Sequence, residues 1–163
     1  IKLLVDNQQV KAEPEVFPKH GVEYLKSILD ESLGQAPNLR LSGVLNIISE
    51  VTDRQALSNQ DFFTSKNIEP DGAQKVFLDL ISEAGFINST PDIELFKSIE
   101  RYLRKHPNQP QVVTPILVWC YSKEPEQTKE CLNLVLDWRL NISRTPNDVP
   151  LVKLKNLIGE VVK

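Results

Sequence analysis

Two cysteines, Cys120 and Cys131, and two histidines, His20 and His106, are the residues of this 163-residue chain best suited to nucleophilic or metal chemistry. Cysteine–histidine catalysis needs a thiolate that is both stabilised and reachable. Cys120 lies inside the apolar run Val118-Trp119-Cys120-Tyr121, and Cys131 falls on an apolar helical face. Both positions predict buried, reduced core thiols. If Glu124-Pro125-Glu126 turns a helical hairpin, the two thiols are neighbours. His20 precedes a glycine and reads as surface. His106 ends a helical stretch beside Pro107 and reads as a cation at a helix C-terminus. Metal sites ask for converging ligands at set spacings, and no such spacing is present. The carboxylates Asp30-Glu31 and Glu124/Glu126 fall at helix ends and turns, where solvation explains them. The six glycines are scattered, so no G-x-x-x-x-G-K-[ST], G-x-G-x-x-G or G-x-S-x-G motif forms. The residues predict a chain that is not an enzyme, with no catalytic residue, metal or cofactor and no small-molecule substrate.

What remains is surface. Lys97, Arg101, Arg104 and Lys105 stand at i, i+4, i+7 and i+8, opposite Phe96, Ile99 and Leu103, and Arg139 and Arg144 could extend the patch. Such a stripe is the wet side of an amphipathic helix or the docking surface of an acidic protein or peptide segment. No aromatic residues interleave it for base stacking, which ranks phosphate backbone lower as a partner.

Charge sharpens that choice. Lys and Arg number 19 and Asp and Glu 22, a net of -3, which argues against generic DNA coating. Residues 1–96 carry 8 basic and 15 acidic side chains, and residues 97–163 carry 11 and 7, so one end is acidic and the other mildly basic. No apolar run approaches the ~18 residues of a membrane span. The lack of methionine and the start at Ile1 are expected of a piece of a longer protein. Two cysteines are too few for a disulfide framework, and no secretory leader is legible. The expectation is an intracellular protein, cytoplasmic, nuclear or mitochondrial.

The elements that carry these residues follow from periodicity. Residues 1–18 read as an extended arm or connector, and residues 19–163 as a single helical-repeat domain. Val22, Leu25, Ile28, Leu29 and Leu33 fall at helical spacing, with Gly34 as the stop. After a break at Pro37-Asn38, Leu41, Val44, Leu45, Ile48 and Val51 mark a second helix of about four turns. A short helix over 59–65 is conceivable in the polar stretch that follows. Asp71 and Gln74 have the capping-box spacing and open a third helix, with Ala73, Val76, Phe77, Leu80, Ile81 and Ala84 inward and Gly85 closing it. Thr90-Pro91-Asp92 has the cap, first-turn proline and acidic residue of a helix start, ahead of Leu95, Phe96, Ile99, Tyr102 and Leu103. Residues 110–122 hold the apolar run Ile116 to Tyr121, which by pattern alone could be a buried strand. Helical neighbours and Pro115 in a first turn make it the next helix. Cys131, Leu132, Val135 and Trp138 mark another, and Leu151, Leu154, Leu157, Ile158 and Val161 the last. The eleven prolines sit at or between these segments, as they must when an interior proline costs about 3 kcal/mol.

The predicted starts near 72, 110 and 148 are 38 residues apart, and those near 91 and 126 are 35 apart. Such spacing belongs to an all-α chain of antiparallel helix pairs stacked as a short α-solenoid, with a compact helical bundle as the alternative. Within that class, Val112-Val113-Thr114 to Lys123, Thr128 to Trp138 and Pro146-Asn147-Asp148-Val149 resemble a pentatricopeptide repeat. Glu69-Pro70-Asp71 to Ala84-Gly85 is similar to an earlier copy, and HEAT and armadillo repeats fit equally well. The pentatricopeptide resemblance implies RNA binding through small polar side chains early in the first helix. Here that turn carries Pro115, Ile116 and Leu117. The sequence therefore leads to a non-enzymatic interaction scaffold or adaptor, with an RNA-binding helical-repeat module second.

Overall fold

The structure, a computed structural model, describes residues 30–31, 33–58 and 70–163. Six α-helices and no strands are found among them: α1 (Pro37–Ser58), α2 (Pro70–Ile81), α3 (Ile93–Lys105), α4 (Thr114–Lys123), α5 (Pro125–Ile142) and α6 (Val149–Val161). The protein is all-helical over this span. The expected arm at 1–18, His20, most of the helix ahead of Gly34 and the short helix over 59–65 lie outside the described residues.

Several boundaries differ from the sequence reading for local reasons. Pro37 opens α1 instead of breaking the chain, because its missing N–H costs nothing in a first turn. With 22 residues α1 runs for about six turns. Leu33, expected inward, is 63% exposed. Asp71 is not a cap, since α2 already starts at Pro70. Gln74 reaches across to donate to the Gln111 carbonyl, so no capping box forms. The helix closes at Ile81 rather than at Gly85. A separate 3₁₀ turn, Ala84–Phe86, follows, which leaves Ala84 exposed and drives Phe86 into the core. Asp92, not Thr90, caps α3, accepting from the Leu95 N–H at 2.9 Å. Asp148 does the same for α6 at 2.8 Å from the Leu151 N–H. Pro110–Val113 forms a 3₁₀ turn, and the α-helix proper begins at Thr114. The α-helix starts at 70, 114 and 149 are therefore 44 and 35 apart, and those at 93 and 125 are 32 apart. The uniform step is lost because the 3₁₀ turn and loop lengths vary.

The apolar stripes did identify the core. Leu41, Val44, Leu45, Ile48 and Val51 of α1 are buried, as are Val76, Phe77 and Leu80 of α2 and Leu95, Ile99, Tyr102 and Leu103 of α3. Phe86 meets Trp119 edge to face at 5.5 Å, and the indole N–H donates to the Phe86 carbonyl at 3.3 Å. This satisfies the one polar group the ring carries inward.

Packing alternates along the chain. α1 packs on α3 and α3 on α5, while α2 packs on α4 and α4 on α6. Members of the first row run parallel. At one end Asn38 of α1 donates to the Thr90 carbonyl at 2.8 Å and accepts from the Asp92 N–H at 3.2 Å, both just ahead of α3. At the other end Ser49 of α1 meets His106, the residue that closes α3. Likewise the Cys131 thiol of α5 faces the Phe96 carbonyl at 3.7 Å, and farther along Arg104 lies over Trp138. The rows are stitched by the α4–α5 hairpin, in which Glu124 alone links the helices.

Candidate functional site

Side-by-side parallel helices leave a furrow between their axes, and the row α1–α3–α5 has two. Between α3 and α5 lies an open groove of about 430 Å³. Its apolar surface comes from Pro91, Ile93, Phe96, Cys131 and Leu134, and its polar rim from Asp92, Lys97, Glu100, Glu124, Gln127 and Glu130. Ile93 is 68% exposed and Leu134 48% exposed. Two large apolar side chains are thus held in water on opposite walls. The walls are helix faces: Ile93, Phe96, Lys97 and Glu100 stand at i, i+3, i+4 and i+7, and Glu124, Gln127, Cys131 and Leu134 at i, i+3, i+7 and i+10. The sequence reading singled out only Phe96, Lys97, Glu124 and Cys131 among these positions, each for a separate reason. The signal that could have found them is that apolar Ile93 and Leu134 fall outside the buried stripes of their helices.

Burial pushes the Cys131 thiol up to about 12, and the nearby Glu100 carboxylate adds to the shift against the opposing pull of Arg104. Burial likewise raises the Cys120 thiol, with Cys131 close enough to contribute. Both cysteines are free and buried on the two arms of the hairpin, so neither has the exposed thiolate that nucleophilic chemistry requires.

The second furrow, about 400 Å³ between α1 and α3, is lined by Asn46, Ser49, Glu50, Ser98, Arg101 and Lys105 over Leu45 and Tyr102. Beside it Ser49 Oγ lies 2.9 Å from His106 Nε2, and Asp53 Oδ1 lies 3.7 Å from the same nitrogen. A serine–histidine–aspartate relay needs the serine and the carboxylate on opposite ring nitrogens. Here both face one nitrogen, which makes the group a polar clasp between α1 and the end of α3. His106 was expected to be a helix-terminal cation. Burial, the largest influence, outweighs the Asp53 charge and lowers its pKa, favouring the neutral ring.

The basic residues singled out from the sequence are spread over different surroundings. Lys97 sits on the α3/α5 rim, 3.9 Å from Glu94. Arg101 is exposed and donates to Ser98 Oγ at 3.3 Å. Arg104 pairs with Glu100 at 2.7 Å, its guanidinium 5.3 Å from the Trp138 ring centroid and its Nε without a hydrogen-bond partner among the described residues. Lys105 pairs with Asp53 at 2.6 Å. Arg139 grips Asp148 through two hydrogen bonds of 3.1 and 2.6 Å, helping to hold that carboxyl below its usual range. That bond anchors the start of α6. Arg144 is exposed and has no partner among the described residues. Four of the six cations thus lie against carboxylates of this chain.

Among the described residues no group of three or more His, Cys, Asp or Glu is placed to hold a metal ion. No helix among them is long and apolar enough to cross a membrane. Comparison with family models, curated proteins and solved structures finds no match to this chain.

Proposed function

We propose that this chain is a short α-solenoid that works as a non-enzymatic interaction module, taking a partner protein in the groove between α3 and α5. The observation that carries the reading is the pair Ile93 and Leu134, held exposed on facing walls of an open groove. Leaving such side chains in water forgoes roughly 1.5–3 kcal/mol each if fully buried, a gain a partner can recover. Two alternating rows of helices, one of them running parallel, support the solenoid, because stacked pairs place equivalent helices side by side. An adaptor role also fits the buried thiols and the clasp at His106, neither of which offers an activated nucleophile.

The test is affinity capture with wild type and with the double variant Ile93→Asp/Leu134→Asp, each with and without nuclease. Both positions are exposed, so helical content and thermal midpoint should stay close to wild type. A partner protein recovered by wild type, lost by the double variant and indifferent to nuclease supports the reading. Recovery that survives the substitutions sinks it. Recovery abolished by nuclease would favour the RNA-binding module instead.

A further inference from the structure

We infer that the occupant of the α3/α5 groove is a cationic amphipathic helix contributed by another protein. This rests on the interaction reading above and adds the chemistry of the partner. The rim carries four carboxylates, Asp92, Glu100, Glu124 and Glu130, against one ammonium, Lys97. Asp92 is engaged by the Leu95 N–H and Glu100 by Arg104. Glu124 and Glu130 have no side-chain partner among the described residues. The polarity is therefore opposite to that of the basic stripe, of which Lys97 alone lines this rim, and the complementary surface is positive.

The partner's backbone follows from what the groove lacks. Its walls are helix faces, and no strand edge is found among the described residues, so an extended peptide would find no ladder for its main-chain hydrogen bonds. A helix satisfies its own backbone and offers apolar side chains along one face, which suits a trough whose anchoring positions are Ile93, Phe96 and Leu134. The chain's own N-terminal segment is a poor complement, because residues 1–29 hold four basic and four acidic side chains and no net charge.

The probe is a synthetic peptide of about 16 residues with leucines at helical spacing on one face and lysines elsewhere, compared with a twin in which glutamate replaces lysine. Binding is read by fluorescence anisotropy at low and physiological salt. The lysine peptide should bind wild type about tenfold more tightly than the glutamate twin. Ile93→Ala/Leu134→Ala should weaken it about tenfold at both salts. Glu124→Gln/Glu130→Gln should weaken it severalfold at low salt and less at physiological salt, where screening already acts. Asp71→Asn/Asp79→Asn removes two charges from α2 and should leave affinity unchanged.

Equal loss in that control would mean diffuse attraction to an acidic protein and would overturn the inference. So would binding of the glutamate twin that Lys97→Glu/Arg101→Glu abolishes, an outcome that leaves the interaction reading intact with an acidic partner. Self-association through the groove, lost in Ile93→Ala/Leu134→Ala, would replace the foreign helix with a second copy. If the lysine peptide seats in the groove while partner capture ignores Ile93 and Leu134, the inference about chemistry holds and the proposed function fails.

Discussion

Reversing Arg104 should cost far more than reversing Arg101, although the two sit one turn apart on the same helix. Arg101 is exposed and its only side-chain bond among the described residues is a 3.3 Å contact to Ser98, so Arg101→Glu should change stability by less than about 0.5 kcal/mol. Arg104 has two side-chain partners among the described residues. Its i,i+4 pair with Glu100, at 2.7 Å, is worth about 0.3–0.5 kcal/mol, and a glutamate there would turn attraction into repulsion of similar size. The guanidinium over Trp138 at 5.3 Å adds about 0.5–1 kcal/mol at a half-exposed site. Together these give a loss of about 1–2 kcal/mol, or roughly 2–8 °C in thermal midpoint for a chain of this size. Circular dichroism melts of the two single variants decide the matter. Adding Glu100→Gln to Arg104→Glu should then recover the repulsive part, about 0.3–0.5 kcal/mol. If Arg104→Glu melts with Arg101→Glu, the contacts to Glu100 and Trp138 contribute nothing and the packing of α3 on α5 is misread.

Two further outcomes follow from burial. Leu80→Ala and Leu132→Ala, at side chains 0% and 1% exposed, should each cost about 2–5 kcal/mol in urea denaturation, and a neutral result would remove that residue from the core. His106 has its pKa lowered from 6.5, so between that folded value and 6.5 the unfolded chain binds the proton more readily, and stability should drop as pH falls below about 6.5. His106→Gln, which does not titrate but can still bond Ser49, should flatten that slope. An unchanged pH profile would assign the acid sensitivity to other groups.

The helical class, most of the core and the placement of both cysteines were legible in the sequence. Spacing at three and four residues records which side chains leave water, and that record is local. Helix ends were less legible because competing caps lie within a residue or two. Asp92 wins over Thr90 as Asn38, 52 residues away from Thr90, takes the Thr90 carbonyl and the Asp92 N–H. What the tertiary structure alone decided is the electrostatic identity of the surface. Lys105 meets Asp53 across 52 positions, and Arg104 reaches Trp138 on a neighbouring helix. Periodicity says that such residues face outward and says nothing of what faces them. For the same reason the basic stripe was visible along one helix, while the apolar groove with its acidic rim exists only because α3 and α5 lie side by side.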